Sequence, residues 1–293
     1  MSIIYRFTCS VLLAGLLWGC GAETAGFDQT SYPVRIVVDA GASADAGAGG
    51  DADVIGTNEA FVGHWAHRQV LAGITDLPVF GPTYSETVGT FRWHVIVDED
   101  GVLVLMETCS VVLRRTVDEV RTVIPQQFID ALPISVRPAR IVDDEITVRY
   151  FIELNGVRLD NPEADALPTD DRDPRIYDQD GDGQPGMTVV IEGIIDGEVQ
   201  VVQRTRTRHR GTLSAGVING TVQWQADEEI LGADNDLLAQ GASVEPHTNA
   251  DKSWFVARPI SAGQTCADIL EAEDTFFPED TGIAPDEGEA GGE

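Results

Sequence analysis

From Phe61 onward the apolar residues of this chain recur at every second position, in runs separated by Asx-Gly pairs. Phe91, Trp93, Val95 and Val97 alternate with Thr90, Arg92, His94 and Ile96. Ile146, Val148, Tyr150, Ile152 and Leu154 alternate with Thr147, Arg149, Phe151 and Glu153. Ile218, Val222, Trp224 and Ala226 share a face opposite Asn219, Thr221, Gln223 and Gln225. Side chains of a strand point alternately to its two faces, so this period marks strands with one buried and one wet side. Asp100-Gly101, Asn155-Gly156, Asp196-Gly197 and Asn219-Gly220 supply residues that tolerate positive φ, as two-residue hairpins require. The cleanest is Asp196-Gly197, between apolar runs at Met187–Ile195 and Val199–Leu213.

The pattern predicts an all-β, antiparallel meander of eight to ten strands. Its many sequential hairpins favour an up-and-down barrel over a sandwich. Pro125 to Leu132 is read as one or two helical turns. Cys266 to Phe277 is read as a short C-terminal helix with Thr265 as its N-cap.

Charge separates the folded part from its flanks. Asp and Glu number 49 against 19 Lys and Arg, for a net charge of −30. Residues 21–60 carry 7 acidic residues and the single basic Arg35, and residues 267–293 carry 10 acidic residues and none basic. A balance this acidic excludes nucleic acid as a default partner, because phosphate binding needs a basic face. A hydrophobic fraction of 43% still provides for a core. The stretch Ala40 to Asp53 is almost wholly Ala, Gly, Asp and Ser and cannot bury enough surface to fold. The organisation read from this is a signal peptide at 1–19, a flexible tether at 20–58, a β domain at 59–278 and a disordered acidic tail at 279–293.

The N-terminus reads as an address. Arg6 precedes an apolar run from Phe7 to Gly19, about 20 Å as a helix and too short for a hydrocarbon core of about 30 Å. The run ends Leu17-Trp18-Gly19-Cys20, which resembles the lipobox of bacterial lipoproteins. That resemblance implies cleavage before Cys20, acylation of its sulfur and new amine, and anchoring to a membrane through lipid. Gly21 stands where an Asp would imply inner-membrane retention, so the implied location is the outer membrane or cell surface. The alternative is cleavage near Ala22 or Ala25 and free secretion.

Cys9 would leave with the signal peptide and Cys20 would take lipid, so Cys109 and Cys266 remain. In an oxidising compartment two leftover thiols most simply pair with each other; the alternative is two separate buried thiols.

One motif carries metal chemistry. Asp178-Gln179-Asp180-Gly181-Asp182-Gly183 places carboxylates at alternate positions of a tight loop, the spacing by which a hard divalent cation collects oxygens. The backbone carbonyl of Gln184 would be the next ligand, with Asp170, Asp171 or Asp173 as possible further donors. The loop is similar to the first half of an EF-hand, but its twelfth position is Val189 rather than Glu and β-patterned sequence follows. The reading is a structural calcium site; the alternative is a solvated acidic loop.

Arg204, Arg206, Arg208 and Arg210 share one strand face. They form either an anion-binding stripe or an outer face paired with carboxylates of neighbouring strands. Gly63-His64-Trp65 resembles the G-x-W that opens lipocalins, whose arginine near the last strand would correspond to Arg258. No zinc spacing, nucleophile elbow or phosphate-binding loop occurs, so no catalytic residue is assigned and no enzyme is expected. In outline the chain resembles surface lipoproteins of Gram-negative bacteria that carry an Asp-Gly loop. That resemblance implies a lipid-anchored, calcium-stabilised envelope binding or structural module, with an envelope or extracellular partner. A lipocalin-like carrier of a small ligand is the second reading and requires a hollow barrel. An envelope-polymer hydrolase is the third.

Overall fold

The computed structural model describes residues 59–280, apart from 78–80, 99–100, 117–118 and 242. The signal peptide, Cys20 and nearly all of the tether and tail lie outside the described residues. The described chain is almost wholly antiparallel β-structure. The strands are β1 (Gly63–Leu77), β2 (Gly81–Asp98), β3 (Gly101–Arg115), β4 (Val120–Val123), β5 (Ser135–Val142), β6 (Glu145–Asn155), β7 (Met187–Gly193), β8 (Gly197–Ser214), β9 (Val217–Ala233), β10 (Ser243–Pro246) and β11 (Trp254–Ile260). Three short α-helices accompany them among the described residues, α1 (Gln126–Ala131), α2 (Cys266–Glu271) and α3 (Glu273–Phe276). Eight strands close a ring in the order β1-β2-β3-β5-β6-β8-β9-β11 and back to β1. The meander is therefore a closed barrel, and closure removes the unpaired edges that an open sheet would expose. Among the described residues no helix is long and apolar enough to cross a membrane.

The remaining strands widen one end of the barrel. The first part of β8 pairs with β7 and its later part with β6, so the sheet forks along one edge of β8, with β4 beyond β7. On the opposite wall β10 pairs with Gly73–Asp76, beyond the reach of β11. The antiparallel registers place every long insertion at this end: 116–134, 156–196 and 234–253. The other end has tight turns, with Asp143 (φ 51) between β5 and β6 and Ala215 (φ 51) with Gly216 (φ 77) between β8 and β9.

Bulges decide which residues face inward. Between β2 and β3 the register slips so that Phe91 opposes Thr108 and Thr90 opposes Ser110, leaving Cys109 as the extra residue. In β6 it slips between Val148 and Phe151. The second slip overturns part of the simple alternation. Glu153 and Asn155 turn to the barrel interior and Phe151 packs under the Arg137 guanidinium, whereas Leu154 packs outside with Val157, Leu159 and Val202. One inserted residue is enough to exchange the faces of everything beyond it.

Three further expectations change. Asn219-Gly220 is not a hairpin turn but lies within β9, opposite Thr212 and Gly211. A Cβ on Gly220 would collide with the Arg210 carbonyl oxygen and the Phe255 ring, so glycine there serves packing rather than a turn. Asn155-Gly156 does not form a hairpin either; Gly156 (φ 72) opens the long 156–186 excursion. The C-terminal helix is parted at Ala272 (φ −105, ψ 22) into α2 and α3, while Thr265 caps α2 in a reciprocal box with Asp268. Asp196-Gly197 does lead into β8, and Asp196 Oδ1 accepts from the Gly193 N–H at 2.8 Å.

The tight-turn end is filled. Phe61, Trp65, Trp93, Val95, Val104, Ile141, Ile146, Ile218 and Phe255 belong to its core, and Trp65 Nε1–H donates to the Phe61 carbonyl at 2.9 Å. Outside the barrel, α2 and α3 cover Ala66, Cys109 and Val256 with Ile269 and Phe277. There the Cys109 and Cys266 sulfurs are 1.98 Å apart, a disulfide that staples α2 to β3. The bulge is what turns Cys109 outward to meet it.

Candidate functional site: a cavity in the wide half of the barrel

Above the filled end the barrel holds a partly open cavity of about 300 Å³. Its wall is mainly apolar, with Leu71, Met106, Val111 and Leu113 on one side and Met187, Val189, Val199 and Val201 on the other. Phe128 and Leu132 of the α1 segment and Leu238 of the 234–253 insertion enclose it at the wide end. The insertions therefore build the cavity, while the tight turns build its floor.

Beneath the lining residues Gln69, Phe91 and Thr207 lies a buried floor layer of aromatic and polar groups. His67 is fully buried and stacks on Trp93 with ring centroids 3.9 Å apart. His209 stands edge-on to Trp93 at 5.5 Å, and its Nε2–H donates to Gln69 Oε1 at 2.8 Å. Burial, then the neighbouring His209, Arg137 and Arg68 charges, hold His67 well below its ordinary pKa of 6.5. Burial and Arg137 do the same to His209. Both rings are thereby kept neutral.

Four ionisable side chains line the cavity from the inward face, two of each sign. Arg137 is 3% exposed, donates to Thr207 Oγ1 at 3.0 Å and to Glu153 Oε2 at 3.1 Å, and lies 4.5 Å above the Phe151 ring. Burial lowers its pKa and Glu153 raises it. Arg115 donates to Thr122 Oγ1 at 2.6 Å. Glu228 accepts from Gln203 Nε2 at 3.2 Å. Glu228 is exposed by surface area where it borders the partly open cavity, yet the protein packed round its carboxyl raises its pKa by desolvation, against the opposing pull of Gln203 and Arg115. A fifth lining residue, Glu86, belongs to the outward face of β2, accepting from Tyr84 Oη at 2.9 Å and pairing with Arg114 at 3.9 Å.

No functional role follows from the sequence for Arg115, Arg137 or Glu228, while Asn155 reads there as part of a hairpin turn and Glu153 as a wet-face residue. One signal was present: in Ser135–Val142, Arg137 shares a face with Ala139 and Ile141. For Arg115 and Glu153 the bulges concealed the face.

The acidic loop lies beside the cavity wall. Asp178, Asp180 and Asp182 each place a carboxylate oxygen within 4.8 Å of the others. Asp178 accepts from the Gly181 and Gly183 N–H groups at 2.7 and 2.9 Å. Gly183 takes φ 90, the left-handed turn expected of it. Asp180 Oδ2 accepts from the Thr188 N–H at 3.0 Å, and Asp182 Oδ1 from the Gln184 N–H at 2.7 Å. Asp180 is 7% exposed, and its Oδ1 is buried with no hydrogen-bond partner. An orphaned carboxylate oxygen is costly without a cation, so the donor set fits a hard metal ion. The upstream aspartates do not join the group. Asp173 is bound by Arg175, which pulls its pKa down to about 2; Asp170 accepts from the Arg172 N–H at 3.0 Å; and Asp171 lies 3.9 Å from Arg172.

The four arginines of β8 stand on the outer face, away from the cavity. Arg204 and Arg206 both reach Asp227 at 2.7 Å, and Arg204 Nη1 donates to the Pro162 and Asp165 carbonyls at 2.8 Å. Arg210 pairs with Glu145 at 2.9 Å. Arg208 is half-buried on the same face. Arg204 and Arg206 thus tie the 156–186 excursion to the barrel. Arg258 is likewise on the outer face, paired with Glu279, and not beside Trp65.

Comparison of the chain with models of protein families, with curated proteins and with solved structures gives no match.

Proposed function

We propose that this chain is a lipid-anchored envelope protein whose barrel binds a small, mainly apolar molecule. The observation that carries the reading is the hollow upper half of the barrel, a cavity of about 300 Å³ with apolar walls and a few convergent polar groups. That volume is at the lower end of the range for small-molecule sites, about 300–1,000 Å³. A barrel serving only as a scaffold has no reason to leave this space unfilled, because voids lose packing energy.

The test is titration of residues 59–293 with N-phenyl-1-naphthylamine, a neutral probe that fluoresces in apolar surroundings. Saturable binding at one probe per chain is expected. Ala226→Trp, placed on the cavity wall, should abolish it while leaving a cooperative melt. Absence of saturable binding to the unaltered protein would refute the carrier reading.

Two further parts of the proposal rest on sequence. Cys20 would carry the lipid, with the tether holding the barrel away from an outer membrane or cell surface. Metabolic labelling with an alkynyl fatty acid should mark the natural protein and not Cys20→Ser. Calcium would be held by Asp178, Asp180 and Asp182, with the Gln184 carbonyl next in the loop, in a structural role.

A further inference from the structure

We propose that the cavity selects an uncharged amphiphile, an apolar body with one hydrogen-bonding group placed at Asn155. The inference rests on the carrier reading above and adds the chemical class of the ligand.

The first argument is charge balance. Arg115 and Arg137 line the same partly open cavity as Glu153 and Glu228, so the inward-facing ionisable groups sum to zero. Arg137 and Glu153 satisfy each other directly. A ligand bearing a full charge would enter with no unbalanced counter-charge to meet it. It would also lose its hydration, which costs several kcal/mol for an ion. A neutral molecule incurs neither penalty.

The second argument is an unmet polar group. Asn155 is 7% exposed and lines the cavity, and its Oδ1 is buried with no partner. Its Nδ2 makes only a long contact, 3.5 Å, to Gln203 Oε1. Arg115 Nε is also buried without a partner. Buried orphan acceptors and donors are costly, and a ligand hydroxyl supplies both missing functions. Met187, Val189 and Val201 offer apolar contact, and among the described lining residues Asn155 and Arg115 are the two that carry a buried side-chain polar atom without a partner. The hydrogen-bonding group of the ligand is therefore placed close to Asn155.

The experiment displaces N-phenyl-1-naphthylamine with three ten-carbon chains at pH 7.5: decanol, decanesulfonate and decylammonium. Decanol should compete best, but any apolar pocket would favour it, so the decisive readout is the ratio of sulfonate to ammonium affinity. In the unaltered protein that ratio should lie within about threefold of one, as expected where the two signs are balanced. Glu228→Gln leaves one Arg in excess and should raise the ratio at least tenfold. Arg115→Gln leaves one Glu in excess and should lower it at least tenfold. Asn155→Leu should weaken decanol by about tenfold, the size of one hydrogen bond. A strong preference for either ion in the unaltered protein, or a ratio that neither charge variant moves, overturns the inference. The two variants act with opposite sign, so misfolding of one leaves the other decisive. If the naphthylamine itself does not bind, it is the carrier reading that has failed.

Discussion

His67 lies nearly parallel on the indole of Trp93, with ring centroids 3.9 Å apart and an interplanar angle of 14°. Neither ring nitrogen of His67 has a hydrogen-bond partner, and His209 is 5.7 Å away. The barrel floor therefore requires both imidazoles to be neutral.

Acidification should destabilise the barrel through its two buried histidines. Both histidines have folded pKa values well below 6.5. Below that pH the unfolded chain takes up protons that the folded chain refuses, so the stability present above pH 6.5 is lost as pH falls. The slope is up to about 1.4 kcal/mol per pH unit for each histidine. Asp227 and Asp280, held below 3.8 by their arginine partners, add their loss only at lower pH. The melting temperature should fall between pH 7.5 and 5.5, and His67→Phe should make that fall shallower. A melting temperature constant over that interval would disprove the account.

The C-terminal segment should be integral to the fold through Asp280. Arg68, 3% exposed, is paired with both Asp280 and Glu273, and Arg114 binds Asp280 through Nη1 and Nη2 at 2.5 and 2.9 Å. Two guanidinium groups on the barrel wall thus hold Asp280, just past the boundary of 278 read from the sequence. Asp280→Ala would leave Arg68 buried and undercompensated, which costs about 3–5 kcal/mol for such pairs, less whatever Glu273 retains. Denaturant unfolding should show a loss of at least about 2 kcal/mol. An unchanged midpoint would mean that the pairing contributes nothing.

The barrel was legible because period two and turn chemistry are local properties. Phe91, Trp93 and Val95 face inward as their alternation requires, and Cys109 and Cys266 meet as compartment and cysteine count suggested. The cavity was not legible. Its polar groups become neighbours through pairings far apart in sequence, such as Thr205 opposite Glu153 and Ala226, and through bulges that leave no residue-type signal. The Asp178–Asp182 loop was readable because all three carboxylates lie within five residues. Asp173 is bound by Arg175 instead, a pairing that nothing in composition reveals.

Reduction of the disulfide should lower stability substantially. Cys109 and Cys266 are 157 positions apart, and a cross-link closing a loop of that size contributes on the order of 4–5 kcal/mol in the chain-entropy model. Ellman titration should find no free thiol in residues 59–293 until the protein is denatured with reductant. Cys109→Ala with Cys266→Ala should melt at lower temperature than the unaltered protein. Two free thiols in the native protein would be incompatible with the pairing.

Calcium should stabilise the folded chain and magnesium much less, because a loop of alternating aspartates with main-chain oxygens suits a large flexible coordination shell. At a calcium concentration one hundred times the Kd, binding to the folded state alone contributes about 2.7 kcal/mol. Asp180→Asn replaces the buried carboxylate whose Oδ1 is unpartnered and should remove most of that gain. Differential scanning calorimetry with millimolar calcium against chelator measures it. No calcium-dependent rise in melting temperature would eliminate the metal site.

Glu228 should make the cavity's ligand preference depend on pH. Desolvation by the protein packed round it raises its carboxyl pKa, so it takes up a proton at higher pH than an ordinary glutamate. Glu153 is tied to Arg137 instead. Protonation of Glu228 removes one negative charge and leaves Arg115 in excess, which favours an anionic head group. Decanesulfonate remains ionised across the range, so its affinity relative to decanol should rise as pH falls from 7.5 toward 5. In Glu228→Gln the same ratio should already be high at pH 7.5 and should not rise further. A ratio that rises with acid equally in both proteins would assign the effect to another group, such as the histidines of the floor, and remove Glu228 from the explanation.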